Sequence, residues 1–405
     1  MNNATISPEV STLSLGTKKQ RIKLKGITWG HSRGLTPLLA FAQRFNELHP
    51  AIEITWTKRS LQEFADQPLE DLTQDYDLLI IDHPWVGCAA ATKCVLPLDE
   101  YLSPEFMADQ LKNTVGQSHL SYEYNGHQWA LAIDAATPVA SFRPDLFKKA
   151  QLFRPLNWEE LLALADKGKV AVPGIPIDLL MNFFMFCIAN GKEPFQNKDE
   201  VIDVSTGTAA LLMMQELYRR VDPKMFELNP IAVAELMSAG DDYWYCPFAY
   251  CYSNYSRNGY AKNLLQYTDM ISVNDAPLRS TLGGTGIAVS AFSKHPKEAL
   301  EFAAAITSSS CQSTFYVQHG GQPGHRSAWV SKEVNQLCND FFKNTLPAIE
   351  KAYVRPRYNG YLHFQDRAGH PIRDFLMNGG YPSSVIKGIN LLYKDCVNKE
   401  SNRVL

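Results

Sequence analysis

Hydrophobic positions change period several times along the chain, and the changes mark out alternating strands and helices. Ile22, Leu24 and Ile27 read as a first strand. Leu38, Phe41, Ala42, Phe45 and Leu48 then recur at helical spacing after Pro37, and His49-Pro50 ends that helix. Ile52-Glu53-Ile54-Thr55-Trp56 alternates as a second strand. Asp77-Leu-Leu-Ile-Ile81 is a continuous apolar run, the pattern of a parallel strand covered on both faces. This βαβ opening predicts an α/β class, in which ligands meet the carboxyl ends of strands. A further apolar strand, Trp129–Asp134, precedes a helix-rich region over 145–240. Within it Asn157-Trp-Glu-Glu160 before Leu161, Leu162 and Leu164 has the form of a capped helix start. Gly283-Gly-Thr-Gly286 leads into a short strand, Ile287–Ser290, then a helix over Pro296–Thr307, and helical patterns resume from Ser331. A chain that leaves one α/β unit near 132, builds another and returns near 280 is expected to form two lobes joined by several crossings.

Composition narrows the function classes. The 405 residues are 45% hydrophobic and 20% charged, which excludes a disordered or disulfide-dense chain. Thirty-nine Lys+Arg against 42 Asp+Glu leave a net charge of -3, so no nucleic-acid partner is expected. The eight cysteines form no C-x-x-C and no zinc-type spacing with histidines, and they read as buried thiols. Residues 1–20 lack the order of a secretory signal, positive charge followed by an apolar run, and read as a loosely attached tail. The apolar run Leu179–Ala189, interrupted by Asn182, is too short to span a membrane and reads as a buried helix. The chain has no H-E-x-x-H, G-x-S-x-G or P-loop. Gly283-Gly-Thr-Gly286 lacks the third glycine of a dinucleotide loop and precedes a strand instead of following one. No catalytic residue, metal or cofactor is therefore expected.

Candidate binding residues come from position and chemistry. Trp29, His31, Ser32 and Arg33 lie between the first strand and its helix, where free backbone N–H groups and a positive helix terminus face a ligand. His83 and Trp85 follow the buried third strand in the same way. Asp134, ending another strand, offers a carboxylate that can accept two hydroxyl hydrogen bonds, and Asp178 is a further acidic candidate. Of 45 aromatic residues, eight fall in 243–260. Flat rings of this kind stack on the C–H faces of sugars.

Several segments, in order, resemble the carbohydrate-type extracellular solute-binding proteins of ABC importers. They are Tyr76-Asp-Leu-Leu-Ile-Ile-Asp-His-Pro-Trp85 with Leu96-Pro-Leu-Asp-Glu100, then Asn125-Gly-His-Gln-Trp-Ala-Leu131 through Ser141-Phe-Arg-Pro-Asp-Leu-Phe147. Leu156-Asn-Trp-Glu-Glu-Leu161, Gly283-Gly-Thr-Gly-Ile-Ala-Val-Ser290 with Ser293-Lys-His-Pro-Lys-Glu-Ala299, Gly320-Gly-Gln-Pro-Gly324 and Arg355-Pro356 complete the series. The resemblance implies a two-lobe periplasmic-binding-protein-like clamshell of type II with three interlobe crossings. Lobe 1 would comprise 21–132 plus 275–322, and lobe 2 would comprise 133–274 plus 323–405.

It also implies a small-molecule ligand in the cleft: a sugar, an oligosaccharide or a sugar acid. Phe248 and Tyr250 of Cys246-Pro-Phe-Ala-Tyr250 would meet that ligand, together with Gly283, Gly284 and Thr285. Arg326 and Tyr358 are added near the third crossing. His31, Arg33, His83 and Arg326 together would favour an acidic or phosphorylated sugar. The implied protein is an extracytoplasmic monomer that delivers its solute to ABC permease subunits. Two other functions fit the same scaffold: a cytoplasmic small-molecule sensor, and an enzyme acting on a sugar in the cleft.

Overall fold

Strand β1 (Ile22–Trp29) pairs in parallel with β2 (Ile52–Arg59) along its whole length, from Ile22 opposite Ile52 to Trp29 opposite Arg59. The computed structural model describes residues 21–60, 63 and 68–401, so the tail expected over 1–20 lies outside the described residues. Between the two strands runs α1 (Ser32–Leu48), which begins earlier than the apolar spacing predicted and contains Pro37 in its interior. An interior proline costs about 3 kcal/mol. Burying Leu38, Phe41 and Phe45 against the sheet returns roughly 1.5–3 kcal/mol each and outweighs that cost.

β3 (Leu78–Ile81) lies on the other side of β1, also parallel, and all four of its residues are buried. Leu78 and Ile80 enter the apolar cluster on one face of the sheet, while Leu79 and Ile81 enter the cluster on the other. The continuous apolar run predicted this double cover. It is followed by α2 (Val86–Thr92).

β4 (Leu131–Ala136), shifted two residues from its expected bounds, belongs to this first sheet. One residue later β5 (Pro138–Phe142) is the centre of a second sheet. In it β5 pairs antiparallel with β6 (Tyr245–Tyr250) and β7 (Gln266–Thr268). β8 (Gly283–Val289) returns to the first sheet between β3 and β4, antiparallel to both, giving the order β2-β1-β3-β8-β4. The glycine run read as leading into this strand is itself part of it.

The second lobe builds its core from helices. Pro176–Ala189, here α3, is buried on most of its surface and is braced by Val204–Tyr218 (α4), with Asn182 donating to the Tyr218 hydroxyl at 3.2 Å. The predicted Asn157 cap and the helix over Pro296–Thr307 (α5) both form, with Asn157 accepting from the Glu160 N–H at 2.9 Å. Phe341–Glu350 (α6), Tyr361–Asn378 (α7) and Pro382–Ser401 (α8) complete the chain's later helices. All eight cysteines are buried, as expected.

Three crossings join the lobes and are laced to one another. Thr137 donates to the Thr281 carbonyl at 3.0 Å, and Leu282 and Tyr353 link the second crossing to 353 at 2.7 Å. Along the third, Ala135 donates to Gln322 at 3.1 Å and Gly324 to Ile133 at 3.2 Å. Gly284 sits where these strands pack most tightly. Its φ is +100°, and a Cβ there would lie 2.3 Å from the Asp134 carbonyl oxygen. Gly284→Ala combines a disfavoured backbone with a backbone clash, so it should destabilise the fold by more than about 2 kcal/mol in urea unfolding. An unchanged midpoint would show that the strand junction yields.

Candidate functional site between the lobes

The loop after β1 turns sharply because Gly30 donates to the Arg59 carbonyl at 2.8 Å, and His31 then caps α1 by accepting from the Arg33 N–H at 3.0 Å. This turn aims the Arg33 side chain inward, where it is 4% exposed. Arg33 Nε donates to Asp134 Oδ2 at 2.9 Å and its Nη2 to Oδ1, a bidentate pair between α1 and β4. Its Nη1 crosses to the second lobe and donates to the Cys251 carbonyl at 2.7 Å, and the guanidinium lies 4.7 Å from the centre of the Tyr252 ring. Burial disfavours the charge on Arg33, but Asp134 opposite holds it firmly protonated. Burial raises the Asp134 carboxyl in spite of Arg33.

A second pair spans the lobes nearby. Arg355 Nη2 donates to both Asp82 oxygens at 2.8 Å, and its Nη1 to Gln365 on α7 at 2.7 Å. Asp82 follows β3 and also accepts from the His83 N–H at 2.8 Å. Against its burial, Arg355 holds the Asp82 carboxyl well below the usual carboxylate range. Burial, with Arg355 adding to it, brings His83 down to about 4. Burial, reinforced by Arg33, does the same to His31.

Further contacts close the face between lobes. Ser32 Oγ meets the Tyr260 hydroxyl at 2.6 Å, and the His31 ring lies edge-on to Tyr252 with centroids 4.6 Å apart. Tyr250 hydrogen-bonds Thr281 Oγ1 at 2.8 Å, and its ring lies where a Gly283 Cβ would stand, 2.4 Å away. Several buried polar atoms here have no hydrogen-bond partner among the described residues: His83 Nε2, Thr285 Oγ1, Arg355 Nε, Tyr361 Oη and Asp178 Oδ2. Asp178 stands in the first turn of α3, 6% exposed, and burial pushes its carboxyl up to about 8.

The structure thus brings His31, Ser32, Arg33, His83, Asp134, Tyr250, Gly283, Gly284 and Thr285 to the junction of the lobes. Asp178 is buried in the first turn of α3, and its charge acts on Tyr250 and Tyr252. It sets others apart. Phe248 is fully buried in the second core, 5.7 Å from Phe186 between ring centres. Arg326 is partly exposed and pairs with Glu350. Trp29 packs over Gly34 in the first lobe's core, Trp85 packs half-buried on the cluster beneath α2, and Tyr358 stacks edge-on to Tyr361 and Tyr393.

Asp134 was expected to receive ligand hydroxyls, and in this arrangement both its oxygens face Arg33. The sequence reading missed Asp82, Arg355, Tyr252, Tyr260 and Gln365 as site residues. The signal that singled out His83 applied equally to Asp82, one residue closer to the strand end. Arg355-Pro356 was visible as a motif without a role.

Two α/β lobes, crossed three times and meeting on a polar face, define a clamshell binding protein. Residues 30–312 match the bacterial extracellular solute-binding protein family, and the chain belongs to that family. A maltotriose-binding protein of Pyrococcus abyssi is 27% identical over 128 residues, 32% of this chain and 26% of that relative, so the match spans about a quarter of the relative's length. Among solved structures, the maltose-bound MalE3 of T. maritima superposes with a TM-score of 0.81 at 17% identity, covering 92% of this chain and 99% of that one. A solute-binding protein of Agrobacterium radiobacter, in complex with ribitol, gives 0.79 at 18% identity over 92% and 98% of the two chains. The GacH receptor of Streptomyces glaucescens, solved unliganded and with acarbose, gives 0.77 at 16% identity over 93% and 99%. At these identities the likeness is one of fold, the two-lobe α/β class expected from sequence. Among the described residues no helix is long and apolar enough to cross a membrane.

The titrating groups give opposite pH signatures. His31 and His83 hold protons more weakly folded than unfolded, so their stabilisation is complete above about pH 6.5 and is lost as pH falls towards 4. Replacing His83 with Gln should flatten that part of the stability profile. Asp178 has the reverse sign, because its raised carboxyl costs stability progressively as pH rises from about 4 to about 8, above which the cost levels off. Asp178→Asn should therefore exceed the parent's stability by on the order of 2 kcal/mol at pH 9, and the gap should close near pH 4. Parallel profiles for parent and variant would contradict this placement of the carboxylate.

Proposed function

We propose that the chain captures a carbohydrate or polyol between its lobes and presents it to the permease of an ABC-type importer. The observation that carries this reading is the set of buried, unpartnered polar atoms contributed by both lobes, His83 Nε2 and Thr285 Oγ1 from one and Tyr361 Oη and Asp178 Oδ2 from the other. A polyhydroxylated solute offers hydroxyls that both donate and accept, and contacts to both lobes supply the differential affinity that favours closure. Tyr250 supplies an aromatic face beside them. The maltotriose-binding relative and the structures holding maltose and ribitol support the same ligand class. So does membership of an extracellular solute-binding family, which also supports an extracytoplasmic site of action and a non-catalytic role.

The basic residues that suggested an acidic sugar are otherwise engaged. Arg33 faces Asp134, Arg326 faces Glu350, and His31 and His83 are kept neutral at pH 7. We therefore favour an uncharged sugar or polyol frame over a sugar acid.

A thermal-shift series with maltose, maltotriose, ribitol, mannitol and glucuronate tests the reading. A solute present at about 100 times its dissociation constant should add roughly 2.7 kcal/mol of stability. Glucuronate should trail the neutral compounds. Absence of a shift with every sugar and polyol would overturn the proposal.

A further inference from the structure

One acid at the junction has no counter-charge and holds its proton at pH 7. Arg33 is taken up by Asp134, Cys251 and the Tyr252 ring, and Arg355 by Asp82 and Gln365. The two pairs are neutral overall, and His31 and His83 add no charge at pH 7. Asp178 is left over. It is 6% exposed, forms no ion pair, and its Oδ2 accepts no hydrogen bond among the described residues.

Its position in α3 does not explain it. Carboxylates in the first turn of a helix commonly bend back to the cap or reach a neighbouring cation. Glu160 accepts from the Leu156 N–H at 2.8 Å, and Asp145 pairs with Arg143. Asp178 does neither: the α3 N-terminus has no side-chain cap bond, and Pro176 and Ile177 precede Asp178 in the helix. The helix dipole favours an acid there, but far more weakly than an ionic partner compensates a buried charge.

The groups on which the Asp178 charge acts include Tyr218 on α4, Cys246 and Tyr250 on β6, and Tyr252 beyond it. None of these is a cation. Two of the four face the first lobe: Tyr250 touches Thr281 and Gly283, and Tyr252 lies against His31 and Arg33.

We propose that the captured solute bears a single protonated amine, an amino sugar or amino polyol, and that Asp178 receives this ammonium group behind the Tyr250 and Tyr252 rings. The inference rests on the carbohydrate-or-polyol reading and specifies it. On binding, the ammonium charge favours the ionised form of Asp178, whose proton passes to solvent; an ammonium N–H donated to the resulting carboxylate is a charge-assisted bond, stronger than a hydroxyl could make, and tyrosine faces are favourable neighbours for a cation.

Isothermal titration at pH 7 with matched pairs tests it: glucosamine against glucose and N-acetylglucosamine, glucamine against sorbitol, and a chitosan tetramer against its acetylated counterpart. In the unmodified protein the amine of at least one pair should bind at least about tenfold more tightly than its neutral partner. Asp178→Asn, a near-isosteric change, should erase that preference, so that the amine loses at least about tenfold more affinity than its neutral partner does. Neutral sugars binding as tightly as amines, or a preference that survives Asp178→Asn, would overturn the assignment and leave the carbohydrate reading standing. No binding by any compound, charged or neutral, would overturn both.

Discussion

The constraint on which the rest of this structure depends is the neutralisation of charge in a buried junction between two lobes. Arg33 is 4% exposed and Asp134 1%, and neither could remain there ionised alone. Their bidentate pair resolves this, and it also fixes geometry. It ties the first turn of α1 to the end of β4, and the remaining guanidinium nitrogen reaches the Cys251 carbonyl of the other lobe. Arg355 and Asp82 repeat the device in reverse, with the arginine supplied from beyond the crossings and the carboxylate from the end of β3. Ion pairs of this kind contribute little net stability relative to apolar packing, yet losing one partner typically costs about 3–5 kcal/mol. Their effect is to make one relative arrangement of the lobes specific.

The surrounding architecture follows from bringing those groups together. β8 must pass between β3 and β4 closely enough that Gly284 abuts the Asp134 carbonyl and Gly283 abuts the Tyr250 ring, which a side chain at either position would prevent. The three crossings are cross-linked by backbone bonds at 135, 282 and 324, which gathers them into a narrow band beside the site.

Much of the fold was legible in the chain because the strands are strongly patterned. The buried run Leu78–Ile81, the Asn157 cap and the helix over Pro296–Thr307 each carry a local signal that tertiary packing had no reason to override. Pro37 misled for the opposite reason: apolar contacts of α1 sustain a helix through a residue that ordinarily starts one. The site was legible in its places and less so in its pairings. Strand ends pointed to Arg33, His83 and Asp134, but nothing local joins residue 33 to 134, or 82 to 355, across more than 100 positions. Phe248 shows the same limit. Its neighbours Tyr250 and Tyr252 face the other lobe, while strand alternation and the fit against Phe186 turn Phe248 into the core.

The central claim is that the Arg355–Asp82 pair, with the Arg33 bond to the Cys251 carbonyl, holds the two lobes together across the junction. Small-angle X-ray scattering on the parent chain and on Arg355→Met tests it most directly, because Arg355 reaches Asp82 across the junction while methionine keeps much of its apolar stem. With the pair lost, the lobes should separate in solution without solute, giving a larger radius of gyration and maximum dimension at unchanged secondary structure by circular dichroism. Scattering curves that superimpose for the folded parent and variant would contradict the account.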